Sequence, residues 1–111
     1  MDKLEHYRAV IREELYEYAK YQPACGDVQI EVIIDEEQDH YELIYAGWNG
    51  PYRIHGSVIH IDICNDKIWI QYDGTQDGIA TELVAKGISH DQIGLAFKHP
   101  DIRPHTDFAV N

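Results

Sequence analysis

The sequence predicts an α+β domain: a long N-terminal helix packed on a mainly antiparallel four-stranded sheet, followed by C-terminal helical segments and an extended tail. Three observations carry that expectation. Residues 2–20 place apolar side chains at helical spacing. Four later segments, 28–34, 41–48, 53–64 and 68–72, carry the period-two alternation of apolar and polar residues that strands require, broken at Ile33 in the first, muddy in the second and confined to 59–64 in the third. Asn65-Asp66, two residues that accept positive φ, joins the last two segments at the length of a tight hairpin.

In the first helix Leu4, Tyr7, Ile11, Leu15 and Tyr18 form a narrow apolar stripe. Asp2 and Glu5 offer a capping pair, and Pro23, within Tyr21–Gly26, ends the helix by disfavouring helical geometry in the residue before it. Glu13, Glu14 and Glu17 fall towards the C-terminal end, where the helix dipole disfavours them, and read as a solvated acidic face. Val28, Ile30, Val32 and Ile34 then mark the buried side of a strand, with Ile33 on the outer side, and residues 35–39 form a polar hairpin loop. In the 41–48 strand Tyr41, Leu43 and Tyr45 oppose Ile44, Ala46 and Trp48, a pattern that suggests cover on both faces. After the Asn49-Gly50-Pro51 turn, the 53–64 strand has a candidate bulge at Gly56-Ser57. The Asn65-Asp66 turn sets Cys64 against Lys67, Ile63 against Ile68, Ile61 against Ile70 and Ile59 against Tyr72. One face of this hairpin is wholly apolar; the other carries His60, Asp62, Trp69 and Gln71.

The stretch 68–88 holds a strand, a break at Asp73-Gly74, a helix over 76–86 with Ile79, Ala80, Leu83 and Val84 at helical spacing, and a stop at Gly87. Gly87 suits the left-handed residue beyond a helix end, with Ile88 folding back on Leu83. Ser89-His90-Asp91-Gln92 has the capping-box pattern, flanked by Ile88 and Ile93 as a hydrophobic staple, and starts a new helical turn. Residues 93–97 alternate like a strand, but the run is too short to choose between strand and helix. Phe108-Ala109-Val110 is apolar enough to dock as an extended tail.

The chain has 111 residues, one domain's worth, and is 44% hydrophobic and 11% aromatic, enough to bury a core. Its opening MDKLEHYRAV does not resemble a signal peptide, and no apolar run approaches the ~20 residues that cross a bilayer. Cys25 and Cys64 are too few for a disulfide scaffold and read as reduced thiols of a cytosolic protein. The net charge is −11, with twelve acids and four bases in residues 1–42. Because nucleic-acid affinity comes from neutralising phosphates, this composition argues against direct DNA binding. It suits a basic protein partner.

Among residues with chemical potential, His60 and Asp62 put two metal-ligand types on one strand face, while His55, His99 and His105 are scattered. There is no HExxH and no CxxC pattern, so a polar wet face is the simpler reading. Gln71-Tyr72-Asp73-Gly74-Thr75 resembles the DxDGT phosphatase motif of haloacid-dehalogenase-like enzymes, but Gln71 cannot form an aspartyl phosphate. Asp73 and Thr75 read instead as the turn and the helix cap. Gly74 and Gly78 would let that helix end approach an anion, which Asp73 and Asp77 oppose. Cys25 has no base beside it in sequence and reads as a turn thiol. Trp69, on the polar face of the hairpin, and Trp48 mark a candidate interface together with His60, Asp62 and Gln71, unless the N-terminal helix covers that face.

The blocks IWIQYDGTQDGIATELVAKGI (68–88), DQIGLAFKHP (91–100), Arg103, Thr106 and FAV (108–110), with DKLEHYRAVI and GPYRIHGSVIHIDICNDKIWI before them, resemble the XisI family, the fdxN-element excision controlling factors of cyanobacteria. The resemblance covers nearly the whole chain. It implies a regulator of programmed, heterocyst-associated DNA excision by a site-specific recombinase, paired with a XisH-like partner. It carries over no catalytic residue, cofactor or metal. The reading is therefore a non-enzymatic, cytoplasmic interaction protein that binds no DNA by itself and that pairs as a homodimer through Trp69. The alternative is a small metal-dependent hydrolase built on His60, Asp62 and Asp73.

Overall fold

The computed structural model describes residues 2–21 and 26–111; Pro23 and Cys25, and the turn expected around them, lie outside the described residues. Helix α1 spans Lys3–Ala19, strands β1 Asp27–Asp35, β2 His40–Asn49, β3 Tyr52–Cys64 and β4 Lys67–Asp73, helix α2 Ile79–Ala85, and strand β5 Ile93–Leu95. The fold is α+β, with both helices on one side of a five-stranded sheet of order β1-β2-β3-β4-β5. The first four strands are antiparallel neighbours, and β5 runs parallel to β4. The fifth strand corrects the four-stranded expectation. A parallel pair needs a long crossover, usually helical, and residues 74–92 provide it around α2.

The β3–β4 hairpin supplies the central surface. Asn65 and Asp66 have φ of 53° and 65°, the double positive φ that matches a two-residue turn to strand twist. Cys64 pairs with Lys67, Ile63 with Ile68 and Ile61 with Ile70, as the turn dictates. Beyond that the register shifts: His60 pairs with Tyr72 and Ile59 with Asp73, leaving Gln71 as the extra residue of a bulge. The expected Ile59–Tyr72 pair is thus replaced, and Tyr72 turns to the outer face at 51% exposure. A second bulge falls between β2 and β3, where Leu43 pairs with Ile59 but Ile44 with Ser57. The extra residue is Val58, beside the expected Gly56-Ser57 site.

Ile59, Ile61, Ile68 and Ile70 are wholly buried, as are Ile11, Leu15 and Tyr41, and burying each isoleucine contributes about 1.5–3 kcal/mol. Helix α1 caps on Asp2, whose carboxylate accepts from Glu5 N at 2.9 Å, and buries Tyr7, Val10, Ile11, Glu14 and Leu15. Two arginines tie α1 to the β1–β2 loop. Arg8 donates Nε to Asp39 Oδ1 at 2.8 Å and Nη2 to Oδ2 at 3.1 Å, and Arg12 pairs with Glu36. These cations reach across to the hairpin rather than facing the acids of their own helix. Asp39 also accepts from the Tyr41 hydroxyl at 2.9 Å, and its backbone, at φ 57°, accepts from Ile63 N. The Arg8 bond holds the Asp39 carboxyl below its ordinary 3.8, and burial together with the Asp39 bond pushes the Tyr41 phenol up.

The crossover follows the sequence closely except at its start. Asp73 Oδ1 accepts from Thr75 N at 2.9 Å and Oδ2 from Ile79 N at 2.8 Å, so Asp73 organises the turn as its residue type suggests. Gly78, at φ 87°, delays the helix to Ile79 instead of residue 76. At the other end Gly87 N donates to Val84 O at 3.0 Å and Ile88 N to Leu83 O at 3.2 Å, the paired bonds of a Schellman stop, with Gly87 at φ 99°. Ser89 precedes a single 3-10 turn, His90–Gln92, but its side chain makes no capping bond, so the capping box does not form. The apolar residues that flank it are both buried.

The Gly87→Val variant should keep the fold and lose about 1–2 kcal/mol of stability, because a β-branched residue resists positive φ; its melting midpoint checks this. At Asp39 the sign follows from its lowered pKa: the carboxylate contributes fully above about pH 3.8 and loses that contribution as pH falls through the depressed value. We expect Asp39→Asn to lower the melting midpoint at neutral pH and to flatten the acid limb of stability against pH. Asp101→Asn, at a carboxylate 90% exposed, should change neither.

Candidate functional site

With both helices on the isoleucine side, the other face of the sheet is left open, and the side chains expected to carry function gather on it. Register decides which ones meet. His40 pairs with Asp62 and Glu42 with His60 across β2–β3, and Asp62 pairs with Trp69 across β3–β4. His40 Nδ1 lies 2.7 Å from Asp62 Oδ1, and His60 Nε2 lies 3.1 Å from the same oxygen. One donor atom from each of the three side chains falls within 4.8 Å of the others. The hydrogen bond to Asp62, with the charge behind it, raises the His40 imidazole above its ordinary value. Both histidines reach solvent, with His40 54% and His60 35% exposed, while Asp62 is 18% exposed.

Trp69 lies beside this cluster but is neither free nor covered by α1. Its ring packs on Gly94 of β5, where an added Cβ would fall inside the ring's van der Waals envelope, and the Arg103 guanidinium sits 5.3 Å above the ring. Arg103 is itself held by the carbonyls of Lys98 at 3.0 Å and Ala96 at 3.4 Å. The tail pairs with the backbone of β5: Ala109 bridges Gly94 and donates its N–H to Ile93 O at 2.8 Å. The expected docking of the tail therefore occurs at Phe108 and Ala109, with Ala109 buried and Phe108 against the core, while Val110 stays exposed.

Of the other sequence-flagged residues, Gln71 is the exposed bulge residue, and Tyr72 takes the place opposite His60. Trp48 is 51% exposed beneath Arg53 at 5.3 Å, roughly 25 Å along β2 from His40. The cover expected on both faces of β2 is thus missing on its outer side. Asp73 pairs with Ile59 and caps α2, so it does not join His60 and Asp62. Sequence reasoning missed His40: it lies twenty-two residues from Asp62, and only the β2–β3 register brings them together.

A second feature lies on the helix side. Glu14, Glu17, Tyr18, Tyr21, Tyr45, Asp77 and Glu82 line a cleft of about 720 Å³ between the end of α1 and the β4–α2 turn. Glu14, expected to be solvated, is 3% exposed and pairs with Lys86 Nζ at 2.8 Å. Glu13 joins the same ammonium, and the two carboxylates raise the Lys86 pKa.

The family model described as XisI protein matches residues 1–110. Among solved structures, a XisI-like protein from Anabaena variabilis ATCC 29413 is 34% identical and superposes with a TM-score of 0.90, over 99% of this chain and 100% of that one. The fdxN element excision controlling factor XisI from the same organism is 37% identical, with a TM-score of 0.86 and the same coverage. A search of curated proteins found no match.

The Trp69–Gly94 contact gives the site its test. Gly94→Ala should push the indole off β5, shift its fluorescence to the red and lower the melting midpoint. Gly56→Ala, where a Cβ would meet nothing within 4 Å, should leave both unchanged.

Proposed function

The chain belongs to the XisI family, and from that premise we propose that it is a non-enzymatic controlling factor for excision of a DNA element by a site-specific recombinase, acting through a more basic protein partner. The observation that carries this reading is its likeness, along the whole chain, to a protein named as an fdxN element excision controlling factor. A XisH-like protein is the partner proposed, and the cytoplasm the compartment. Among the described residues no helix is long and apolar enough to cross a membrane.

Charge supports the choice of partner. The cleft beside α1 combines four acids and three tyrosines with one lysine, Lys86, already paired with Glu14, and the acidic excess suits lysine or arginine side chains. The nine basic residues are all engaged. Arg8, Arg12, Lys20 and Lys86 pair with carboxylates. Arg53 and Arg103 lie over tryptophans and donate to carbonyls, Lys67 donates to Asn111 O, and Lys3 and Lys98 lie over Tyr7 and Phe97. A row of free cations for phosphates is what a DNA binder needs, and these dispersed side chains, four of them paired with carboxylates, form no such row. A homodimer through the open sheet face belongs to the same proposal, with Trp48 and Tyr72 as its exposed aromatics and Trp69 offering only its uncovered edge.

The isolated protein should give no mobility shift with element-end DNA at low salt and micromolar concentration; sub-micromolar binding would overturn the reading. Binding to the basic partner should weaken as salt rises, since charges are screened beyond about 8–10 Å. Glu17→Lys with Glu82→Lys should reduce it at least tenfold, with the melting midpoint reported alongside.

A further inference from the structure

We propose that His40, His60 and Asp62 form a binding site for a divalent first-row transition ion, with zinc as the reference metal, on the open face of the sheet. The proposal concerns the opposite side of the molecule from the acidic cleft and does not depend on the regulatory reading.

The donor set comes first. Two imidazole nitrogens and one carboxylate oxygen match the ligands that zinc and its neighbours prefer. The geometry comes second. Ligand atoms about 2.0–2.1 Å from a tetrahedral ion stand about 3.3 Å from one another. Here the two nitrogens lie 2.7 Å and 3.1 Å from Asp62 Oδ1, and all three donor atoms fall within 4.8 Å. The support comes third. His40 and His60 sit on strands whose inward neighbours Tyr41, Ile59 and Ile61 are wholly buried, so the backbone under the donors is held by the core.

The two imidazoles converge on one carboxylate oxygen, an arrangement that simple ion pairing does not require, since one imidazole would satisfy it. Glu42, paired with His60, and Asp35, paired with His40, add negative charge on the same face. Three ligands from the chain leave at least one coordination position, open to water or to a side chain of a partner, the pattern of sites that exchange a ligand rather than closed structural ones.

Titration of the full chain with zinc chloride in a calorimeter, after chelation and desalting, tests this. One equivalent should bind with micromolar or tighter affinity, and the melting midpoint should rise with zinc, as binding to the folded state requires. His40→Gln and His60→Gln should each weaken binding at least tenfold while keeping the metal-free melting midpoint, and cobalt should give visible absorption bands that His60→Gln abolishes. Binding weaker than about millimolar, or affinity unchanged in both variants, would overturn the proposal; the second result would place the ion elsewhere, as would an effect confined to His99→Gln.

Discussion

The register of the β3–β4 hairpin is the constraint on which the rest of the structure depends. Asn65 and Asp66 reverse the chain in two residues with both φ angles positive, and this pins Ile63 to Ile68 and Ile61 to Ile70. A slip of one residue would turn every side chain to the other face. The isoleucine surface under α1 and α2 would vanish, and the histidine–aspartate group would be carried into the core without partners. Helix α1 is accordingly an accessory to that surface. Its apolar stripe is narrow, and it is held in place by burial at Ile11 and Leu15 and by Arg8 and Arg12 reaching the β1–β2 loop.

The C-terminal segment gives the two faces different fates. By adding β5 parallel to β4 it extends the sheet and lays Gly94 under Trp69. Arg103 then closes over the indole from above. One tryptophan is thereby partly covered, while Trp48, at the far end of β2, stays half in solvent. The open face is left as a band of polar and aromatic side chains with His40, His60 and Asp62 towards the end of β2 and β3 nearest the β3–β4 turn. On the helix side, the same crossover brings Lys86 to Glu13 and Glu14, which neutralises part of an acidic concentration that α1 alone would present. What is left on the rim of the cleft is Asp77 and Glu82, with Glu17 paired only to the exposed Lys20. The molecule thus divides its polar chemistry between two surfaces, an acidic cleft suited to cationic side chains and a sheet face suited to ligands of nitrogen and oxygen donors.

The strands, the helices, the two-residue turn and the stop at Gly87 were legible because each rests on local physics: period-two or helical alternation, positive φ at Asn, Asp and Gly, and a Schellman partner one residue beyond. His60 and Asp62 were legible as neighbours because they lie two apart on one strand. The bulges at Val58 and Gln71 were not, since a bulge is a compromise between the registers of adjacent strands and leaves little trace in either strand alone. That is why Tyr72 was assigned to the wrong face. The acidic character of Glu14 suggested solvent, and only the approach of Lys86, far along the chain, makes its burial tolerable.

By itself, then, the sequence determined the α+β class, the apolar row, the helix boundaries to within a few residues, the acidic balance and the family resemblance. These are properties of composition and short-range order. The tertiary structure alone decided that a fifth strand pairs parallel to β4, that Trp69 is covered by Gly94 and Arg103 and not by α1, and that His40 rather than Asp73 completes the group with His60 and Asp62. Each of those depends on contacts between residues more than twenty positions apart in the chain, and such contacts are set by which surfaces can be buried together rather than by any local preference.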